Sequence, residues 1–163
     1  MSSVLMFFEW FQETSISIGI RESIFWFPFL IGLHVMGTVT GVGLILALDI
    51  RLLNWGMKKT PVSAIFNQLR PWAIAGFVYQ LVTGVALFIS EPVKCFNSWP
   101  FWIKMIAMFL AFGNAILFDK MVFPSSASWD NGPTMPFRAK FAGAASLVLW
   151  AIVIFAGRWT AYS

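Results

Sequence analysis

Four stretches of the chain stay apolar long enough to cross a bilayer, and charge or proline brackets each of them. A spanning helix needs about 20 mostly apolar residues. The first stretch, 24–48, carries no charge and lies between Arg21-Glu22 and Asp49 with Arg51. The second, 72–90, follows Arg70-Pro71. The third, 101–118, holds one charge, Lys104. The fourth, 141–157, is framed by Lys140 and Arg158. The pattern predicts an all-α, integral membrane four-helix bundle, one membrane domain over residues 1–163. Upstream, Val4, Phe7, Phe8, Trp10 and Phe11 predict a short amphipathic helix over about 4–13, lying in the membrane interface. That helix is either an anchor or a lid over an outward-facing pocket.

The connections are short. Asp49–Pro71 is long enough to prolong both flanking helices beyond the bilayer, and Glu91–Pro100 is the second connection. In the third, Asp119–Lys140, the stretch Pro124–Pro136 is rich in Ser, Gly and Pro and reads as an irregular surface loop.

Composition removes the soluble alternatives. The chain is 59% apolar and 11% charged, against about a quarter charged in ordinary soluble domains. Mean hydropathy is +0.78. Eighteen Phe and nine Trp suit a lipid-facing surface with interfacial aromatic anchors. The lipid bilayer is thus the first partner. The net charge of +4 fits basic loops, and no basic stripe of the kind a nucleic acid needs is present. A lone Cys95 excludes an intrachain disulfide and a cysteine metal cluster. Met1–Glu13 lacks a basic n-region, and the next apolar run is longer than a signal h-region, so the first helix is expected to stay in the membrane.

Lys and Arg orient the bundle. The first and third connections hold Arg51, Lys58, Lys59, Arg70, Lys120, Arg138 and Lys140, while the other side holds Arg21, Lys94, Lys104 and Arg158. The bias puts both termini on the periplasmic face of a bacterial inner membrane. Glu9, Glu13 and Glu22 in the N-terminal tail agree with that.

Candidate chemistry centres on His34, the single histidine. It lies ten residues into the first stretch, roughly 15 Å below its start at 1.5 Å per residue. An ionisable residue at that depth is a functional candidate by default. Gly37, Thr38 and Gly41 share its helix face at i+3, i+4 and i+7. One reading is a helix–helix contact, with Gly37 and Gly41 forming a GxxxG and His34 bonding across to a neighbour. The other is a b-type haem, with His34 as iron ligand and the glycines leaving room for the macrocycle.

Lys104 and Arg158 sit toward the outer side, placed either to snorkel or to hold haem propionates. Trp150 lies eight residues before Arg158, close to the His34 level, and either packs or walls a cofactor. A second axial ligand has several candidates: Met108, the shallower Met105, His34 of a second copy, or none. Methionines in apolar helices more often fill gaps. Asn114, Gln80 and Thr83 are polar groups inside spans and want partners across helices. Asp49 with Arg51, and Asp119 with Lys120, read as interface anchors and local ion pairs. No zinc-protease, Walker, nucleophile-elbow or dinucleotide motif occurs, and no carboxylate lies inside a span, which argues against ion pumping. The spans also lack the paired Gly/Pro-interrupted helices of secondary transporters.

The run Pro28-x5-His34-Val-Met-Gly37, followed by Leu48-Asp49-Ile-Arg51-Leu-Leu, resembles an uncharacterised family of bacterial four-helix inner-membrane proteins. Thr83-Gly84 before Leu87-Phe88, Asn97-x3-Phe101-x2-Lys104, Asn114, and Gly157-Arg158 with Tyr162 belong to the same likeness. It covers most of the chain from Arg21 onward and implies a fold without an activity. A first-span His with a Lys opening the third span is more distantly similar to the copper-resistance D family and other four-helix b-type cytochromes. That likeness implies a haem-binding bundle. A typical two-haem membrane cytochrome carries four histidines, and this chain has one, which argues against electron transfer across the whole membrane.

The expected function is a membrane-embedded b-type haem protein, or a haem-bearing accessory subunit in electron transfer, with a quinone or periplasmic redox partner. Its site would comprise His34, Gly37, Gly41, Lys104, Met108, Trp150 and Arg158. The alternatives are a non-catalytic structural subunit, assembling as a homo-oligomer or in a larger membrane complex through the Gly37/Gly41 face, and a small-solute or copper carrier.

Overall fold

Each apolar run folds as a helix, and most of the helices outrun the bilayer-length stretches that predict them. In a computed structural model, residues 3–130, 132 and 134–163 are described. Helix α1 (Ser3–Gln12) and α2 (Ser15–Arg21) form a hairpin ahead of the bundle. Thr14 caps α2, its side chain accepting from Ser17 N at 3.5 Å. The crossing helices are α3 (Trp26–Leu52), α4 (Val62–Ser90), α6 (Trp99–Leu117) and α7 (Phe137–Trp159), with the short α5 (Pro92–Asn97) between α4 and α6. Four segments are long and apolar enough to cross a membrane.

Helix α4 starts at Val62 and carries Pro71 inside it. An internal proline removes one backbone hydrogen bond and normally breaks a helix. Here the turns before it are held by tertiary packing, since Val62, Ile65 and Phe66 are buried. Helix α6 continues past Leu117 through a π-helical turn, Phe118–Val122, and a 3-10 turn, Phe123–Ser128. Pro124, which lacks an N–H to donate, lies in that tighter turn.

The bundle is built from two close pairs, α3 with α4 and α6 with α7, joined by α3 against α7. Helices α4 and α6 are bridged by aromatic side chains: Phe88 with Phe101, centroids 5.8 Å apart, and Phe77 with Phe112, 4.1 Å apart. The two bridges are eleven residues apart on both helices, about 16 Å at the rise of an α-helix.

The buried core lies at the end away from the termini, where Leu52, Val62, Phe66, Phe118, Met135, Ala139 and Ala142 cluster. The segment after Phe118 folds onto that core and amends the expectation of an irregular surface loop over Pro124–Pro136. It opens with a 3-10 turn and buries Ser126, Asp130 and Met135. Pro124, Ser125, Ala127, Ser128 and Thr134 stay exposed, and Asn131 and Pro133 lie outside the described residues. Asp130 accepts from Ser63 N at 3.0 Å and from the Ser63 hydroxyl, so it holds the first turn of α4. Arg51 is 2% exposed and donates to the carbonyls of Thr60 (2.8 Å) and Asp130 (3.5 Å). Arg51 is thus a buried fastener and Asp49 a buried carboxylate, 3% exposed, in place of the expected interface anchors, and no ion pair joins them among the described residues. Asp119 pairs with Arg70 at 3.0 Å, a helix away, where the neighbouring Lys120 was expected.

At the opposite end, the Ser17 hydroxyl donates to Ser90 O at 3.3 Å, and Ser98 meets Ser163 at 2.6 Å, so both chain ends lie together. Phe8 of α1 packs against Phe88 (5.6 Å) and Phe96 (5.2 Å). Phe96 meets Trp102, Trp102 meets Phe101, and Phe101 meets Phe88. Five rings therefore close a cycle over this end of the α4/α6 seam. Val4, Phe7 and Trp10 on α1 remain exposed, an apolar face suited to the interface.

Candidate functional site

His34 projects from the N-terminal half of α3, eight residues and about 12 Å along the helix from Trp26. Its imidazole lies against α4 because Gly84 has no side chain there. A Cβ on Gly84 would stand 3.2 Å from His34 Cε1. The ring nitrogens have unlike partners. Nδ1 lies 2.9 Å from Thr83 Oγ1, and that hydroxyl donates to Tyr79 O at 3.0 Å. With the Thr83 hydroxyl donating to Tyr79 O, the matching tautomer has Nδ1–H donating to Thr83 and the lone pair on Nε2.

Nε2 faces the seam between α4 and α6. Gln80 Nε2 lies 2.8 Å from it and Lys104 Nζ 3.4 Å from it. The Gln80 amide also donates to Thr38 Oγ1 at 2.7 Å, and Thr38 donates to His34 O at 2.9 Å. Two donors, Gln80 and Lys104, stand beside the single lone pair of Nε2, and Gln80 Oε1 is buried without a partner.

Lys104 points inward toward His34, correcting the expectation that it snorkels to the interface. Its stem lies along Gly157 of α7, where a Cβ would meet Lys104 Cδ at 3.4 Å and Nζ at 3.7 Å. Among the described residues it joins no salt bridge; the ion pairs are Arg21–Glu22, Arg70–Asp119 and Lys94–Glu91. A desolvated amine with no carboxylate beside it is costly, and that marks the position.

The other expected site residues divide. Gly37 and Gly41 are buried, but against α4. A Cβ on Gly37 would fall 2.6 Å from Gln80 Oε1 and Tyr79 Cδ1, and Gly76 would meet Gly41 Cα at 3.3 Å through an added Cβ. The glycines therefore let two helices touch, and the room expected there for a macrocycle is filled by Tyr79 and Gln80. The same contact removes the Gly37/Gly41 face as a surface for assembly with another subunit. Trp150 meets Phe112 edge-on at 6.3 Å and extends the Phe77–Phe112 bridge. Met108 lies one turn beyond Lys104 on α6, half-buried; Lys104 is the α6 side chain that reaches His34. Arg158 is exposed and turns to Tyr162, its guanidinium 4.9 Å from the ring centroid. Asn114, expected to bond across helices, does so: Nδ2 donates to Ala142 O at 2.9 Å.

Gln80, Thr83 and Gly84 complete the site without having been singled out as its members. A signal for them existed, since polar and small residues at i, i+3 and i+4 mark one face of α4 as the mirror of His34, Gly37 and Thr38 on α3.

The donor set bears on whether an iron porphyrin suits the site. A metal-ligating histidine characteristically donates its second N–H to a fixed acceptor, and Thr83 stands at that place beside Nδ1. Nε2, the nitrogen left for iron, has Gln80 Nε2 at 2.8 Å and Lys104 Nζ at 3.4 Å, and the glycine side is filled by α4. An imidazole suits iron, but a macrocycle would have to displace both side chains from Nε2.

No curated protein and no solved structure matches the chain. A family model matches residues 7–163, nearly the full length, and the chain belongs to that family, the family of unknown function DUF6644.

Proposed function

We propose that the protein is a membrane-embedded b-type haem protein, or the haem-bearing accessory subunit of a larger complex, in a bacterial inner membrane with both termini periplasmic. The observation that carries the reading is the placement of His34: Nδ1 lies 2.9 Å from Thr83 Oγ1, and Nε2 faces the α4/α6 seam beside Gln80 and Lys104. Haem bound there supplies a one-electron centre. His34 would hold the iron. Thr83 fixes the imidazole's tautomer and rotation, and Gly84 lets the ring lie flat on α4. The Phe77–Phe112 and Phe88–Phe101 bridges, eleven residues apart, would shield the seam from water on both sides. The ring of five aromatics leaves the end near the termini as the short path to a periplasmic redox partner, and the lipid-facing seam as the path for a quinone. Assembly as a homo-oligomer or with other subunits would use a surface other than Gly37/Gly41.

The test is the visible spectrum of detergent-purified protein, expressed with haem supplied, oxidised and then reduced. A Soret band with sharpened α and β bands on reduction is expected, and His34→Ala should lose the haem. A colourless wild-type protein, or a His34→Ala protein with normal haem content, overturns the proposal.

A further inference from the structure

We infer that the groove between α6 and α7 holds one anionic phospholipid, its acyl chain along α7 and its phosphate on Arg158. The site is separate from His34 and does not rest on the haem reading. Helix α7 carries two unlike stripes. Ala139, Ala142, Ser146, Val153 and Ala156 are buried in the bundle. Val148, Ile152, Phe155 and Trp159, at i, i+4, i+7 and i+11, form another face and stay exposed, Phe155 by 74%. With Trp99 and Ile103 of α6 they enclose a trough of about 380 Å³, lined by apolar residues alone. The small Ala151 and Ala156 in that lining leave room between the larger side chains. The trough runs into a second pocket of about 350 Å³, since Phe155 and Trp159 line both. There the lining turns polar, completed by Arg158 and Tyr162.

Three observations fix the class of occupant. First, Arg158 is exposed and joins no salt bridge among the described residues. It is steadied by Tyr162, whose hydroxyl accepts from Nη2 and whose ring centroid lies 4.9 Å from the guanidinium. The remaining donors of that planar fork match the oxygens of a phosphate. Second, Val148 lies ten residues before Arg158, about 15 Å along the helix. That is half of the roughly 30 Å hydrocarbon core, so the trough has the depth of one leaflet. Third, Trp99 and Trp159 meet edge to face, centroids 5.4 Å apart, where the two pockets join. Paired indoles of this kind mark the headgroup level. A cation at headgroup level above an apolar trough one leaflet deep fits an amphiphile with an anionic head. A neutral lipid or a quinone would leave Arg158 without a counter-charge.

The experiment is native mass spectrometry of the full chain in detergent, titrated with an equimolar mixture of phosphatidylglycerol and phosphatidylcholine of equal chain length. Wild type should hold one phosphatidylglycerol, preferred about fivefold, as one cation at the interface provides. Arg158→Gln should bring the preference to about unity. Ala151→Phe fills the trough from an exposed position and should remove the bound lipid of either kind. Val78→Phe, exposed on α4 away from the groove, should leave the wild-type pattern. Circular dichroism checks that each variant keeps its helix content. A wild type without preference, or undiminished lipid on Ala151→Phe, overturns the inference. So does a wild type that carries a quinone in place of the lipid, or one that closes the groove with a second copy of the chain. The haem content of the same samples tests the other reading separately.

Discussion

Replacing Gly37 by alanine places a methyl group where α4 already stands. The added Cβ would lie 2.6 Å from Gln80 Oε1 and from Tyr79 Cδ1. Ordinary contact lies near 3.5–4.0 Å, so the neighbours must retreat by about 1 Å. Gln80 cannot retreat freely, because its amide holds both Thr38 and His34. Overpacking of this kind costs about 1–3 kcal/mol. Alanine recovers about 1 kcal/mol of helix propensity over glycine, leaving a net loss of roughly 0–2 kcal/mol. Gly43, on the same helix, is an internal control, with nothing within 4 Å of its virtual Cβ. Gly43→Ala should be neutral or stabilising by up to about 1 kcal/mol. The two variants should therefore differ by about 1–3 kcal/mol, or tenfold in the unfolding equilibrium for each 1.4 kcal/mol. Reversible unfolding in mixed micelles, followed by circular dichroism, reads this difference. Equal stability of the two variants would refute the assigned contact between α3 and α4.

Two further outcomes are expected away from the site. Arg51→Ala removes the donor to the carbonyls of Thr60 and the buried Asp130 and should cost about 1–3 kcal/mol; Arg51→Lys should recover little, because one ammonium cannot reproduce the guanidinium fork, and full rescue by lysine would refute the reasoning. Burial, and then the charge of Glu91, push the Cys95 thiol up to about 11. It is therefore protonated at neutral pH, and alkylation by a maleimide should be slow at pH 7 and rise about tenfold per pH unit until the thiolate dominates; rapid labelling at pH 7 would contradict the burial seen at α5.

The residues of this chain differ in how far they announce their roles. Asn114 is legible because an amide inside a lipid-facing helix must find an acceptor, and it finds Ala142 O. His34 and Lys104 are legible as candidates because polar groups are rare in such segments. Their relation to each other is not, since seventy residues separate them and only the channel at Gly157 turns the lysine inward. Asp49 and Arg51 mislead for a similar reason. Charge at the end of a span normally faces headgroups, but here the segment after Phe118 folds back over them and supplies the Asp130 carbonyl that accepts from Arg51.

By itself, the sequence determined that four helices are long and apolar enough to cross a membrane and which polar groups lie within them, because hydrocarbon tolerates only backbone bonded within its own segment and apolar length is a local property. Only the tertiary structure decided which faces meet. A glycine pair on one helix is the same signal whether it makes room for a cofactor, a second subunit or a neighbouring helix. That choice depends on what another part of the chain places opposite it, and here Gly76, Tyr79 and Gln80 of α4 fill the space.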